Sequence, residues 1–198
     1  MGREPGERVM GVLEGRVEEI ARTFNSQEVA NTLWAFAKMG REPGERVMGL
    51  LEKKVEEIAG TFNSQEVANT LWAFATMGRE PGERVMGLLE KKVEEMAGTF
   101  NSQDVANTLW AFATMGREPG ERVMGMLESR VEELAGTFNS QEVANTLWAF
   151  ATMGLKPGER VMGMLEGRME EMARTVNSQD VANTLWAFAT MGRKPGER

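Results

Sequence analysis

The chain has 198 residues, a net charge of −7, and no Cys, His or Tyr. These absences remove disulfides, the usual zinc and haem ligands and the side chain that most often titrates near neutrality, so neither a metal, a cofactor nor catalysis is expected. The acidity is spread evenly without a basic tract, no apolar run approaches the roughly 20 residues of a membrane span, and Met1 leads into repeat sequence without a targeting segment. No membrane partner is expected.

Trp34, Trp72, Trp110, Trp148 and Trp186 recur every 38 residues, and almost every other position recurs with them. A fixed period of this length marks a solenoid, in which units stack on their neighbours because none buries its apolar faces alone. The chain therefore reads as one elongated repeat domain over 1–198, with units 2–39, 40–77, 78–115, 116–153 and 154–191, and with 192–198 opening an incomplete sixth.

Within 40–77 two helices are signposted. Helix A runs from about Pro43, whose fixed backbone angle suits a first helical turn, to Ala59. Gly60 ends it as a residue tolerant of a left-handed backbone, and Thr61 and Phe62 turn the chain. Arg22 and Arg174 hold that position in the first and fifth units, so those turns are expected to be less well capped. Helix B starts at the N-cap Asn63, with Glu66 completing a capping box and Phe62 with Val67 placed as a hydrophobic staple. It continues through Leu71, Trp72 and Phe74 to Met77, where Gly78 and Pro81 stop it and launch the next helix A. Val47, Met48, Leu50, Leu51, Val55 and Ile58 cover about half the circumference of helix A. Helix B is as broadly apolar, and only stacked copies bury both. The elements predict an all-α fold: a right-handed α-solenoid, or superhelix, of stacked antiparallel helical hairpins with 38 residues per repeat.

Charges on helix A are sorted by flank, with Glu45, Glu52 and Glu56 to one side and Arg46, Lys53 and Lys54 to the other. Copies lying side by side then set the acidic flank of one against the basic flank of the next, a ladder of exposed ion pairs worth about 0 to 1 kcal/mol each. The competing reading is a phosphate-tracking row at Arg16, Lys54, Lys92, Arg130 and Arg168. A second candidate phosphate-binding row lies in the loops at Arg3, Arg41, Arg79 and Arg117, interrupted by Leu155 and resumed at Arg193.

Helix B carries a mostly uncharged polar stripe. It comprises Gln27 and Asn31 in the first unit; Gln65, Asn69 and Thr76 in the second; Gln103, Asn107 and Thr114 in the third; Gln141, Asn145 and Thr152 in the fourth; and Gln179, Asn183 and Thr190 in the fifth. The small Ala73 lies beside it, Trp72 borders it, and Lys38 replaces the threonine of the first unit. Amide side chains read base edges and an adjacent aromatic ring stacks on an unpaired base, which makes this stripe the candidate RNA-binding face. Two quieter readings stand beside that one: the tryptophans pack between repeats as core, and the amides pair among themselves as an inter-repeat ladder. The neutral, hydrogen-bonding character of the face places helix B on the concave side.

The segment Phe62-Asn-Ser-Gln-Glu-Val-Ala-Asn-Thr-Leu-Trp-Ala-Phe-Ala-Thr-Met-Gly78, recurring in all five units, resembles the octotricopeptide repeats of organellar proteins. The resemblance implies a helical-hairpin solenoid that binds single-stranded RNA in a chloroplast or mitochondrion and acts in RNA stability, processing or translation. If each unit reads about one nucleotide, near-identical units select a homopolymeric run. RNA binding is expected to weaken steeply with salt. The rival is a protein-binding scaffold of the tetratricopeptide type, which grips an extended peptide partner in the same groove and responds less to salt. A designed or consensus repeat scaffold with no ligand is the third reading. Neither end carries a polar capping unit, and 192–198 is too short to cover Val181, Leu185 and Phe188, so end-to-end self-association is expected.

Overall fold

The computed structural model describes residues 6–193, which form ten α-helices, short connections and no strand. The A helices are α1 (Glu7–Ile20), α3 (Glu45–Ile58), α5 (Glu83–Met96), α7 (Glu121–Leu134) and α9 (Glu159–Glu171). The B helices are α2 (Ser26–Lys38), α4 (Ser64–Thr76), α6 (Ser102–Thr114), α8 (Ser140–Thr152) and α10 (Ser178–Thr190). Their alternation gives five helical hairpins stacked in chain order, the solenoid that the repeat predicts. Arg3 lies outside the described residues, as does most of the incomplete sixth unit.

Local capping departs from expectation at both ends of helix A. Helix α3 begins at Glu45 with Gly44 as its N-cap, and Pro43 is buried in the turn before it. The previous unit supplies the cap: the Gly44 N–H donates to Glu14 at 3.1 Å, as Gly120 does to Glu90 at 2.7 Å and Gly158 to Glu128 at 2.5 Å. At the other end Gly60 is not left-handed. Ala59–Thr61 forms a 3₁₀ turn that tightens the helix end, and the Thr61 hydroxyl donates to the Ile58 carbonyl at 2.8 Å. Such a turn accepts any residue, so Arg22 sits in the same 3₁₀ turn, Ala21–Thr23, without loss of that cap. Only the fifth unit differs, with α9 ending at Glu171 and no 3₁₀ segment after it.

The left-handed glycines are those that follow helix B: Gly40, Gly78, Gly116, Gly154 and Gly192, with φ between 62° and 73°. There Gly78 N–H donates to the Ala75 carbonyl and Arg79 N–H to the Phe74 carbonyl, both at 3.0 Å, satisfying the last carbonyls of α4 in a Schellman motif. At the start of helix B the capping box forms at Asn25, Asn63, Asn101 and Asn139 with Glu28, Glu66, Asp104 and Glu142. Phe62 and Val67 are buried in one core, where a staple requires them.

The B helices approach one another far more closely than the A helices do. Small buried side chains allow this, Ala68, Thr70 and Ala73 in α4 and Ala106, Thr108 and Ala111 in α6. A stack that is tighter in one layer curves towards that layer, so the B helices line the concave side. Ala73, placed by the sequence beside the polar stripe, is fully buried at this contact.

Gly49, Gly87 and Gly125 lie exposed inside A helices with nothing within 4 Å of an added Cβ. Replacing all three by Ala is expected to raise stability by about 2 kcal/mol, at roughly 0.5–1 each from reduced unfolded-chain entropy. A higher urea midpoint checks this, and an unchanged or lower one contradicts it.

Candidate nucleic-acid interface

At 100° per residue, Gln65, Asn69, Trp72 and Thr76 fall within about 60° of one another on α4. The stripe emerges where the sequence places it. Gln27, Gln65, Gln103, Gln141 and Gln179 are exposed, as are Thr76, Thr114, Thr152 and Thr190. Asn31 is exposed, whereas Asn69, Asn107, Asn145 and Asn183 are half-buried. With the B helices side by side, these positions align into rows crossing the repeats. None of these side chains hydrogen-bonds among the described residues, so the self-satisfying amide ladder is not formed. Their donors and acceptors remain open.

The tryptophans combine two of the expected roles. Trp72 and Trp110, Trp110 and Trp148, and Trp148 and Trp186 lie 6.3, 6.5 and 6.2 Å apart between ring centroids, tilted by 31° to 34°. They pack between repeats, yet Trp72, Trp110 and Trp148 are only half-buried and line the stripe as one continuous ladder. In the first unit Lys38 Nζ lies 5.5 Å from the Trp34 ring and 4.8 Å from the Trp72 ring, a cation held between two indoles.

The loop arginines have another occupation. Arg79 donates to both Glu45 oxygens at 2.8 and 2.9 Å and to Glu42 at 2.5 Å. Arg117 likewise grips Glu83 and Glu80, Arg193 grips Glu159 and Glu166, and Arg41 bonds Glu7. Hydrogen bonds from Arg79 and Arg117 hold Glu45 and Glu83 below the usual carboxylate range. Arg41, Arg79 and Arg117, the candidate phosphate-binding row, thus clamp one repeat to the next through carboxylates of the preceding unit. Leu155 packs against the core at the equivalent place.

The helix A cations are engaged as well. Lys54 donates to the Arg22 carbonyl at 2.7 Å, and Arg130 and Arg168 donate to the Phe100 and Phe138 carbonyls at 2.8 Å, stitching each unit to the turn of the one before. The exposed ladder forms too, with Arg46–Glu18, Arg84–Glu56, Arg122–Glu94 and Arg160–Glu132 at 2.9–3.3 Å.

Two features escaped the sequence reading. Where Asp replaces Glu at the third helical position, the shorter side chain is buried and accepts from the previous unit: Asp104 from Ser64, and Asp180 from Ser140 at 2.8 Å. Burial pushes the Asp104 carboxyl above its ordinary value. The Glu/Asp alternation was the available signal. The hydroxyls of Thr70, Thr108, Thr146 and Thr184 are buried without a partner among the described residues, whereas that of Thr32 donates to the Glu28 carbonyl at 2.7 Å.

No helix among the described residues is long and apolar enough to cross a membrane. The family model described as RESC6, RNA-editing substrate-binding complex 6 protein, matches residues 3–191. Among solved structures, a designed armadillo repeat protein in complex with the peptide (KR)4 aligns over 96% of this chain and 95% of its own, at 12% identity and a TM-score of 0.28. No curated protein matches the chain.

Proposed function

The chain belongs to the RNA-editing substrate-binding complex 6 protein family, and from that premise we propose that its concave B-helix face binds single-stranded RNA, about one nucleotide per repeat. The observation that carries this reading is the row of unbonded amides beside the tryptophan ladder. The 6.2–6.5 Å ladder spacing exceeds the ~3.4 Å rise of a stacked strand. A strand following it is splayed, with base edges open to amides and base faces open to indoles. The octotricopeptide-like motif adds an organellar setting in RNA stability, processing or translation. The reading is one of binding and assigns the chain no reaction.

Fluorescence anisotropy with labelled poly(A), poly(U), poly(C) and poly(G) at low and moderate salt tests it. The clamped arginines change the salt expectation from steep to shallow. Lys38 is the one stripe position held by a cation, and each phosphate contact to a single strand contributes a slope of about −0.7. Preference for one homopolymer with a shallow slope is the expected result. Equal binding to all four with a steep slope contradicts it, and no binding moves the assignment to a peptide scaffold or an array without ligand.

A further inference from the structure

The amide stripe alone does not tell a bound strand where to start. Gln65, Asn69 and Thr76 recur unchanged in the third, fourth and fifth units, so a homopolymer displaced by one unit gives up one set of contacts and keeps the rest. The face carries one break in that sameness. Lys38 stands where the later units have Thr76, Thr114, Thr152 and Thr190, and no other B helix holds a lysine or arginine.

Lys38 is also held in its own way. Arg79 ends on carboxylates and Lys54 on a backbone carbonyl, whereas Lys38 is exposed and has neither partner among the described residues. Its Nζ lies 4.8 Å from the Trp72 ring and 5.5 Å from the Trp34 ring. Among the described residues those two rings do not touch, and the ring-to-ring ladder starts at Trp72. Two indole faces fix the position of the ammonium without cancelling its charge, and they leave at least one of its three N–H donors for another acceptor. The ring faces beneath the ammonium are closed to a base, while an anionic oxygen answers both the charge and the open N–H. Lys38 also complements the carbonyl end of α2, a role that does not depend on any one position of a bound strand.

We propose that Lys38 takes one backbone phosphate of the bound strand, the one that crosses from the first unit to the second, and thereby fixes the register of the strand on the array. This rests on the RNA reading above and adds to it a defined starting point. With one nucleotide on each unit, the phosphate between the first two lies over the junction of α2 and α4, where Lys38 spans Trp34 of one helix and Trp72 of the other. The amides then select the base and the lysine selects the alignment.

The test uses pentanucleotides of the preferred homopolymer in which one linkage at a time is a neutral methylphosphonate, competed against a labelled strand on the full chain and on Lys38→Thr. The variant restores the threonine of the later units, so its fold is kept. For the unaltered chain, affinity is expected to fall about fivefold, the upper range for one exposed ion pair, when one end linkage is neutral and to change little at the others. Because a chiral strand does not read the same in reverse, the sensitive end reports its direction. In Lys38→Thr the profile is expected to be flat and the log–log salt slope to move from about −0.7 towards zero, with homopolymer preference retained. A loss at a middle linkage, at all four alike or at none, or the same profile in Lys38→Thr, overturns the register while leaving homopolymer preference to support the RNA reading. Absence of binding by every pentanucleotide and homopolymer overturns both.

Discussion

Replacing Asn31, Asn69, Asn107, Asn145 and Asn183 by Ala in one chain is expected to abolish homopolymer preference and lower RNA affinity at least about a hundredfold. An asparagine that engages a base edge through two hydrogen bonds contributes about 1–3 kcal/mol of discrimination, so losing two of the five contacts already gives that factor. The stability of the array should hardly change. These side chains form no hydrogen bond within the described residues, Asn31 is exposed and the other four are half-buried, and Ala suits a helix interior better than Asn does. Surface substitutions of this kind usually fall within about 0.5 kcal/mol. Anisotropy with the preferred homopolymer and a urea melt read the two effects separately. Binding equal to that of the unaltered chain removes the amide row from the site.

Phe112→Ala is expected to destabilise the array by about 3–5 kcal/mol, the usual cost of a truncated buried aromatic. Phe112 is 1% exposed in the central unit, and its carbonyl accepts the Arg117 N–H at 2.9 Å in the motif that closes α6. In a solenoid each unit contacts only its neighbours, so a weakened middle unit uncouples the two halves. The urea transition should therefore broaden or split as well as shift, followed by circular dichroism and by tryptophan fluorescence. A loss below about 1 kcal/mol in one sharp transition contradicts the account of how the units are coupled.

Particular residues show what was legible in the sequence. The amide stripe was readable because Gln65, Asn69 and Thr76 differ by multiples that return to one helical face, and that arithmetic holds whatever the neighbours do. Gly60 and Gly78 were harder to separate, since both follow a helix and both suit a left-handed cap. The Thr61 hydroxyl and a 3₁₀ turn close the first site, while the second carries the positive φ. The ion pairs of the loop arginines were hidden because a position in a loop does not show its opposing partner. The carboxylates that hold Arg79 belong to the preceding unit, at Glu42 and Glu45, and only the stacking offset reveals them. Whether the amides would pair with each other was equally hidden, because it depends on how far apart the B helices sit. That separation is governed by the small buried side chains of Ala68 and Ala73.

The central claim is that RNA lies along the concave B face. Ultraviolet crosslinking of a bound homopolymer, with the attached peptides located by mass spectrometry, tests it most directly. The account predicts crosslinks at Trp72, Trp110 and Trp148 and in the B-helix peptides around them. Crosslinks concentrated on the A helices, around Arg46, Lys53 and their equivalents, contradict it.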